Sequence, residues 1–202
     1  EVMSMVEVMF STNVTMGDKV LEFEDGISRY FNVAESVTNN SGSSANLLAI
    51  AALTNPMTEN NLSPGDEVIV PALAWSTTVW PLIQHDITPV FVDIDPKTLN
   101  IDPDLIESAI SDKTKAIMIV PVYGNPCDMD RIMHICEKYN LQLIEDNCES
   151  LGAYYDNKPL GSFGRVGTYS FYFSHHISTL EGGVCVSNDF ELGEMMRIIR
   201  AH

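Results

Sequence analysis

The sequence predicts a three-layer α/β domain, with helices covering both faces of a mostly parallel, mixed sheet. Three observations lead there. Short apolar runs bounded by turn residues alternate with segments whose apolar residues recur about every 3.6 positions, the rhythm of strand–helix–strand units. Near the end, two strand-like runs at residues 166–173 and 183–187 are separated by only nine residues. That gap is too short for a helical crossover, so one antiparallel pair is expected. No internal repeat, low-complexity tract or linker interrupts the 202 residues, which suits a single domain.

The elements follow in order. Residues 2–10 and 18–31 carry helical apolar spacing, and a short strand is expected at 33–38. The small polar stretch Asn39-Asn40-Ser41-Gly42-Ser43-Ser44-Ala45 runs into an apolar helix at 46–53. Ser63-Pro64-Gly65-Asp66 is a turn before a buried strand at 67–71. A helix at 76–84, a strand at 89–93, a helix at 103–110 and a strand at 115–120 come next. Residues 129–139 are amphipathic, with Ile132, Ile135 and Cys136 on one face. The strand at 141–146 ends in acidic residues.

Composition narrows the function. Hydrophobic residues make up 45% and charged residues 19% of the chain, a globular balance. With 28 acidic residues against 11 Lys and Arg, the net charge is −17, and no basic run reverses it locally. Such a surface repels nucleic acid and anionic membranes. An anionic ligand must therefore be held by backbone amides and a few placed cations. No apolar run reaches the length of a membrane span, and the first residues lack a signal-peptide layout. The four cysteines form no Cys-x-x-Cys pair, so reduced thiols in a cytoplasmic protein are expected and a zinc site is not. The first residues look like a helix entered midway and the last stop inside a helical pattern; a fragment is expected.

Ligands of open α/β sheets bind beyond the carboxyl ends of the strands, and four such ends carry polar residues. Ser41-Gly42-Ser43-Ser44-Ala45 is either a serine helix cap or a loop whose amides approach a phosphate. It lacks a Walker lysine and a dinucleotide glycine pattern. Trp75 follows a strand and is either core or a flat platform for an aromatic ring, whereas Trp80 suits packing. In Glu145-Asp146-Asn147-Cys148-Glu149, a carboxylate at the end of a buried strand needs a cationic partner or a helix to cap. Finally, Ser170 can donate to a phosphate and His175 can act as a general base, or His175-His176 is a surface pair. Two adjacent histidines in an extended segment point apart and do not share one metal.

In this order, the four sites resemble the DegT/DnrJ/StrS sugar aminotransferase family over essentially the whole chain. That family has the aspartate-aminotransferase architecture, the fold-type I large domain of pyridoxal-phosphate enzymes. The resemblance ends where the family's smaller C-terminal domain would begin, so residues 1–202 would form the cofactor-binding large domain. It implies that Ser43, Ser44 and Ser170 hold the phosphate of pyridoxal or pyridoxamine phosphate. Trp75 would stack on the ring, Asp146 would pair the ring nitrogen, and Glu149 would take the place of a glutamine beside the ring hydroxyl.

One departure is informative. The family's motif has a cofactor-linking lysine at the position of His175, and no lysine follows Lys158. Histidine holds no stable covalent link to the cofactor but can move a proton. The string Ser170-Phe171-Tyr172-Phe173-Ser174-His175-His176-Ile177-Ser178-Thr179 is similar to a branch of the family, the GDP-sugar 3-dehydratases of deoxysugar and surface-polysaccharide synthesis. The resemblance implies removal of the 3-hydroxyl of a nucleotide-linked 4-keto-6-deoxyhexose, with His175 as base, ammonia released, L-glutamate restoring the cofactor amine and a homodimer completing the sites. The iron–sulfur CDP-hexulose 3-dehydrases share the double histidine, and Cys148 falls near one of their cluster cysteines. Phe173-Ser174 before the histidines favours the cluster-free type. The family motifs also admit an ordinary sugar aminotransferase, which the missing lysine disfavours. A non-catalytic homologue would have no need to keep Asp146, Ser170 and Trp75.

Overall fold

The computed structural model describes residues 2–201. Its helices are α1 (Val2–Ser11), α2 (Asp18–Phe31), α3 (Gly42–Leu53), α4 (Ser76–Gln84), α5 (Pro103–Ala109), α6 (Met129–Tyr139) and α7 (Phe190–Ala201). Its strands are β1 (Glu35–Asn39), β2 (Glu67–Pro71), β3 (Thr88–Val92), β4 (Thr114–Ile119), β5 (Gln142–Asp146), β6 (Tyr154–Tyr155), β7 (Lys158–Pro159), β8 (Val166–Ser170) and β9 (Gly183–Ser187). Seven of them form one sheet in the order β1-β9-β8-β5-β4-β2-β3, and β6 with β7 makes a separate small hairpin. From β8 to β3 every pairing is parallel. β9 runs antiparallel to both β8 and β1. The sheet is thus mostly parallel and mixed, with the antiparallel pair where the short connection requires it.

Side chains alternate across a strand, and the two faces divide accordingly. Val68, Val70, Ala116, Met118 and Ile144 pack against α3, α7 and Leu82 of α4. Their neighbours Ile69, Ile117, Ile119 and Leu143 pack on the other face with Ile106 of α5 and Ile132 and Ile135 of α6. A third cluster joins Phe31 of α2 to Tyr169, Phe171, Val184 and Val186. Each fully buried aliphatic side chain contributes about 1.5–3 kcal/mol. Helix ends are set locally: Asp102 and Asp128 cap α5 and α6, and Asn32 and Asn140 adopt the left-handed conformation that stops α2 and α6.

Several boundaries differ from those the sequence predicts. α3 begins at Gly42 instead of residue 46, because Ser41 caps it by accepting a hydrogen bond from the Ser44 amide at 3.1 Å; the serines form its first turn. β8 ends at Ser170, three residues early, and residues 171–182 form bends and turns. The histidine pair therefore lies in a turned loop, not in an extended segment, and the His175 amide donates to the Tyr172 carbonyl at 3.0 Å. Trp80 is 54% exposed on α4, contrary to the packing role expected of it. All four cysteines are free. Burial pushes the thiols of Cys127, Cys136 and Cys185 up to about 12. Among the described residues no helix is long and apolar enough to cross a membrane.

Candidate active site

A cleft of about 670 Å³ opens at the carboxyl ends of β8, β5, β4 and β2. Its position follows from the sheet. Asp146, Thr168 and Ser170 share the face that meets α3, because their side chains alternate with Glu145 and Tyr169 on the other face. Of the seven residues singled out in the sequence, six line this cleft: Ser43, Trp75, Asp146, Glu149, Ser170 and His175. Ser44 lies just outside its wall, with its hydroxyl accepting from Ser41 at 3.1 Å. His176 is exposed and does not line it.

One end of the cleft is built from the first turn of α3. The amides of Gly42 and Ser43 have no intrahelical acceptor, as in any first turn, and the helix dipole favours an anion there. A Cβ on Gly42 would lie 2.5 Å from the Ser170 Cβ and 2.7 Å from the Cys148 sulfur. Only glycine lets the helix end come this close to β8. Ser43 donates to the Thr77 hydroxyl at 3.0 Å, and the Ser170 Oγ accepts from the Tyr172 amide at 3.3 Å. Across from them, Trp75 precedes α4 and is 73% exposed toward the opening.

The floor is Asp146, 4% exposed. Its Oδ2 accepts from Asn46 Nδ2 at 2.8 Å and from the Thr78 hydroxyl at 2.7 Å, and its Oδ1 accepts from the Cys148 amide at 3.2 Å. Burial, reinforced by the negative charge of Asp146, raises the Cys148 thiol well above its ordinary value. Glu149 accepts from the Tyr123 amide at 3.2 Å. Tyr123 itself sits in the left-handed region at φ 53° with its ring exposed at the cleft mouth, a strained conformation of the kind found at functional sites. His175 is half-buried at the rim, its ring 6.4 Å from that of Tyr172. The lining holds the carboxylates of Asp146, Glu149 and Glu181 and no Lys or Arg among the described residues.

Gly42 lies in the small-residue stretch read as a phosphate loop, whereas Asn46, Thr78, Tyr123 and Glu181 are missed by sequence inspection. Asn46 is the one with a usable signal, a lone amide inside the apolar helix Asn-Leu-Leu-Ala-Ile-Ala-Ala-Leu, since a buried polar group requires partners. Glu145, next to the site in sequence, serves the opposite face. It is fully buried and accepts from the amides of Gly161 (2.6 Å), Phe163 (2.8 Å) and Gly164 (2.6 Å). Burial raises it above the ordinary carboxylate value, and the three amides oppose that shift.

Sheet order and cleft together define a class: an α/β domain whose cleft, at the carboxyl ends of parallel strands, is lined by a helix N-terminus, an exposed tryptophan and a buried carboxylate. The chain belongs to the DegT/DnrJ/EryC1/StrS aminotransferase family, whose sequence profile matches residues 1–202. It is 48% identical over 202 residues to the GDP-4-keto-6-deoxy-D-mannose 3-dehydratase of Yersinia pseudotuberculosis, covering 100% of this chain and 51% of the relative. To the lipopolysaccharide biosynthesis protein RfbH of Salmonella typhimurium it is 45% identical, over 99% of this chain and 46% of the relative. A crystal structure of GDP-4-keto-6-deoxymannose-3-dehydratase with a trapped PLP-glutamate geminal diamine superposes with a TM-score of 0.90 at 44% identity, over 96% of this chain and 51% of that one. The chain thus spans about half the length of the curated relatives it matches.

Proposed function

We propose that this chain forms the cofactor-binding part of a pyridoxamine-phosphate-dependent 3-dehydratase that acts on a nucleotide-linked 4-keto-6-deoxyhexose in the synthesis of surface-polysaccharide deoxysugars. The observation that carries this reading is His175 at the rim of the cleft, in a chain with no lysine after Lys158. Without that amine the cofactor cannot be tethered covalently at this position, whereas an imidazole still moves protons. The names of the relatives point the same way.

The residues present fit the cofactor. A phosphate suits the open amides of Gly42 and Ser43 and the hydroxyls of Ser43 and Ser170, which the missing Cβ of Gly42 lets lie side by side. Ser44 then supports the loop through its bonds to Ser41. Trp75 offers an exposed flat face to the ring. Asp146 has three of its roughly four acceptor positions filled, leaving one for a ring N–H. Glu149, anchored on the Tyr123 amide, is the residue for the ring hydroxyl. When bound, the cofactor supplies an amine for the sugar's 4-keto group and a ring that takes up electron density as the 3-hydroxyl leaves. His175 would remove the proton at the cofactor carbon that bears the amine. L-Glutamate would resupply the amine that is lost as ammonia.

A homodimer is part of this proposal. Among the described residues the cleft lining carries carboxylates and no Lys or Arg, so charges on a nucleotide sugar need cations from elsewhere. α1 leaves Met3, Met9 and Phe10 exposed, an apolar surface suited to a second copy. We place the reaction in the cytoplasm, with the free thiols in support.

The test supplies the intact protein with pyridoxamine phosphate, L-glutamate and GDP-4-keto-6-deoxymannose. Ammonia and a 3-deoxy-4-keto sugar are expected. Replacement of His175 by Asn should lower turnover by about 10²–10⁴-fold while cofactor binding persists. A stable 4-amino sugar as product would refute the proposal.

A further inference from the structure

Asp146 does not stand alone. Pro81 lies inside α4, and a helical proline has no N–H for the carbonyl four residues back, which is Thr77. Asn46 Nδ2 reaches that carbonyl at 3.3 Å and Asp146 Oδ2 at 2.8 Å. The Thr168 hydroxyl donates to Asn46 Oδ1 at 2.6 Å. The orientation of the amide is therefore dictated from both ends: its oxygen faces a donor and its nitrogen faces two acceptors. Asn46 is 1% exposed, and Thr78 and Thr168 are fully buried. α3 and α4 thus meet on one carboxylate oxygen at the end of β5, and β8 supports them through Asn46.

We propose that Asn46, Thr78 and Thr168 are positioning residues. They fix the orientation of the Asp146 carboxylate and turn its one free lone pair into the cleft, toward the ring nitrogen of the cofactor. This deepens the proposed function and rests on it. Every protein group bonded to Asp146 is a donor, so the carboxylate is preorganised as an acceptor for one more, charged, N–H. Thr78 acts directly on Oδ2, and Thr168 acts only through Asn46. The ionisable groups that share the cleft with Asp146 are Cys148, Glu149, His175, Glu181 and the phenols of Tyr123 and Tyr172; none of them bonds to Oδ2.

The experiment is a double-mutant cycle on pyridoxamine phosphate affinity in the intact protein. Thr78→Val, which keeps the side-chain shape, should weaken binding about tenfold, as expected for loss of a charge-assisted hydrogen bond. In an Asp146→Asn background the same change should have no further effect. The ¹⁵N resonance of the bound ring nitrogen should move toward its unprotonated value in Thr78→Val and in Asn46→Leu. Thr168→Val should give a smaller loss that disappears once Asn46 is Leu. A purely structural role would lower the melting temperature but leave the ¹⁵N signature in place. The proposal is overturned if Thr78→Val leaves affinity unchanged, or weakens it equally with and without the Asp146 carboxylate. If the parent protein binds no pyridoxamine phosphate, the proposed function falls with it.

Discussion

Substituting Gly42 by Ala tests whether the close approach of α3 to β8 creates the anion site. The added Cβ would sit 2.5 Å from the Ser170 Cβ and 2.7 Å from the Cys148 sulfur. The Ser170 Cβ is fixed to the strand backbone, so no side-chain rotation relieves the tighter of the two contacts. Ordinary carbon contacts lie near 3.5 Å or more, which means the helix end and the strand must part by about 1 Å. Overpacking of this kind costs about 1–3 kcal/mol, or roughly 2–10 °C in melting temperature for a domain of this size. The functional loss should exceed the stability loss. The moving parts are the Gly42 and Ser43 amides and the Ser170 hydroxyl, and a displacement of about 1 Å at a reactive site can cost on the order of a hundredfold. The assay is fluorescence titration of the variant with pyridoxamine phosphate and, in parallel, with pyridoxamine. Binding of the phosphate form should fall by about tenfold or more, with little change for the unphosphorylated form. Equal affinity of variant and parent for pyridoxamine phosphate would refute the reasoning, because the cradle would then not depend on the missing Cβ.

Two further predictions concern the scaffold. Glu145→Gln places an amide NH₂ against at least one of three backbone N–H groups, and should cost about 1–3 kcal/mol near pH 5. Because the folded-state value of Glu145 is raised, the unfolded chain releases its proton first, so the parent loses stability as pH rises from about 4.5 toward that folded value. The parent's advantage over the Gln variant should narrow across that window in urea melts, and a constant gap would contradict it. Arg200→Met removes the partner of Glu24, which is 6% exposed and otherwise held by the Thr38 amide (2.8 Å) and hydroxyl (2.7 Å). A loss of about 2–4 kcal/mol is expected, partly recovered on adding Glu24→Gln, since the unpaired buried charge is the main cost. Equal stability of Arg200→Met and its parent in denaturant melts would argue that the threonine donors alone suffice.

How far the sequence revealed this molecule depended on the range of the forces involved. α2, α4 and α6 match their sequence-based limits because periodicity, caps and breakers are local. The start of α3 did not match, since Gly42-Ser43-Ser44 reads equally as loop or first turn until the Ser41 cap is seen. Direction of pairing is likewise invisible in a strand's alternation. Only the short gap before β9 exposed one antiparallel neighbour, and the pairing of β1 with β9, far apart in sequence, left no mark. The site was legible where residue chemistry is unusual for its surroundings: an acid ending an apolar strand, a tryptophan after one, a histidine without a lysine. Thr78 gave no such signal, because a threonine in Ser-Thr-Thr-Val-Trp looks like any helix start.

The same contrast bears on how so acidic a chain could hold the anion that the proposed function requires. A net charge of −17 and three carboxylates in the cleft would repel a phosphate if overall field decided binding. Overall field need not decide it, because the field of dispersed surface charge is screened over about 8–10 Å at ordinary ionic strength. The amides at the end of α3 act at contact distance, inside a cleft where water is partly excluded. Asp146, meanwhile, is balanced by three donors that carry no formal charge, so the cleft satisfies it without a lysine or arginine that would compete for the ligand's ring. A cation supplied by the protein at that point would abolish the need for a protonated ring nitrogen. With no Lys or Arg among the described lining residues, the remaining Asp146 lone pair is open to the protonated ring nitrogen that the proposed function requires.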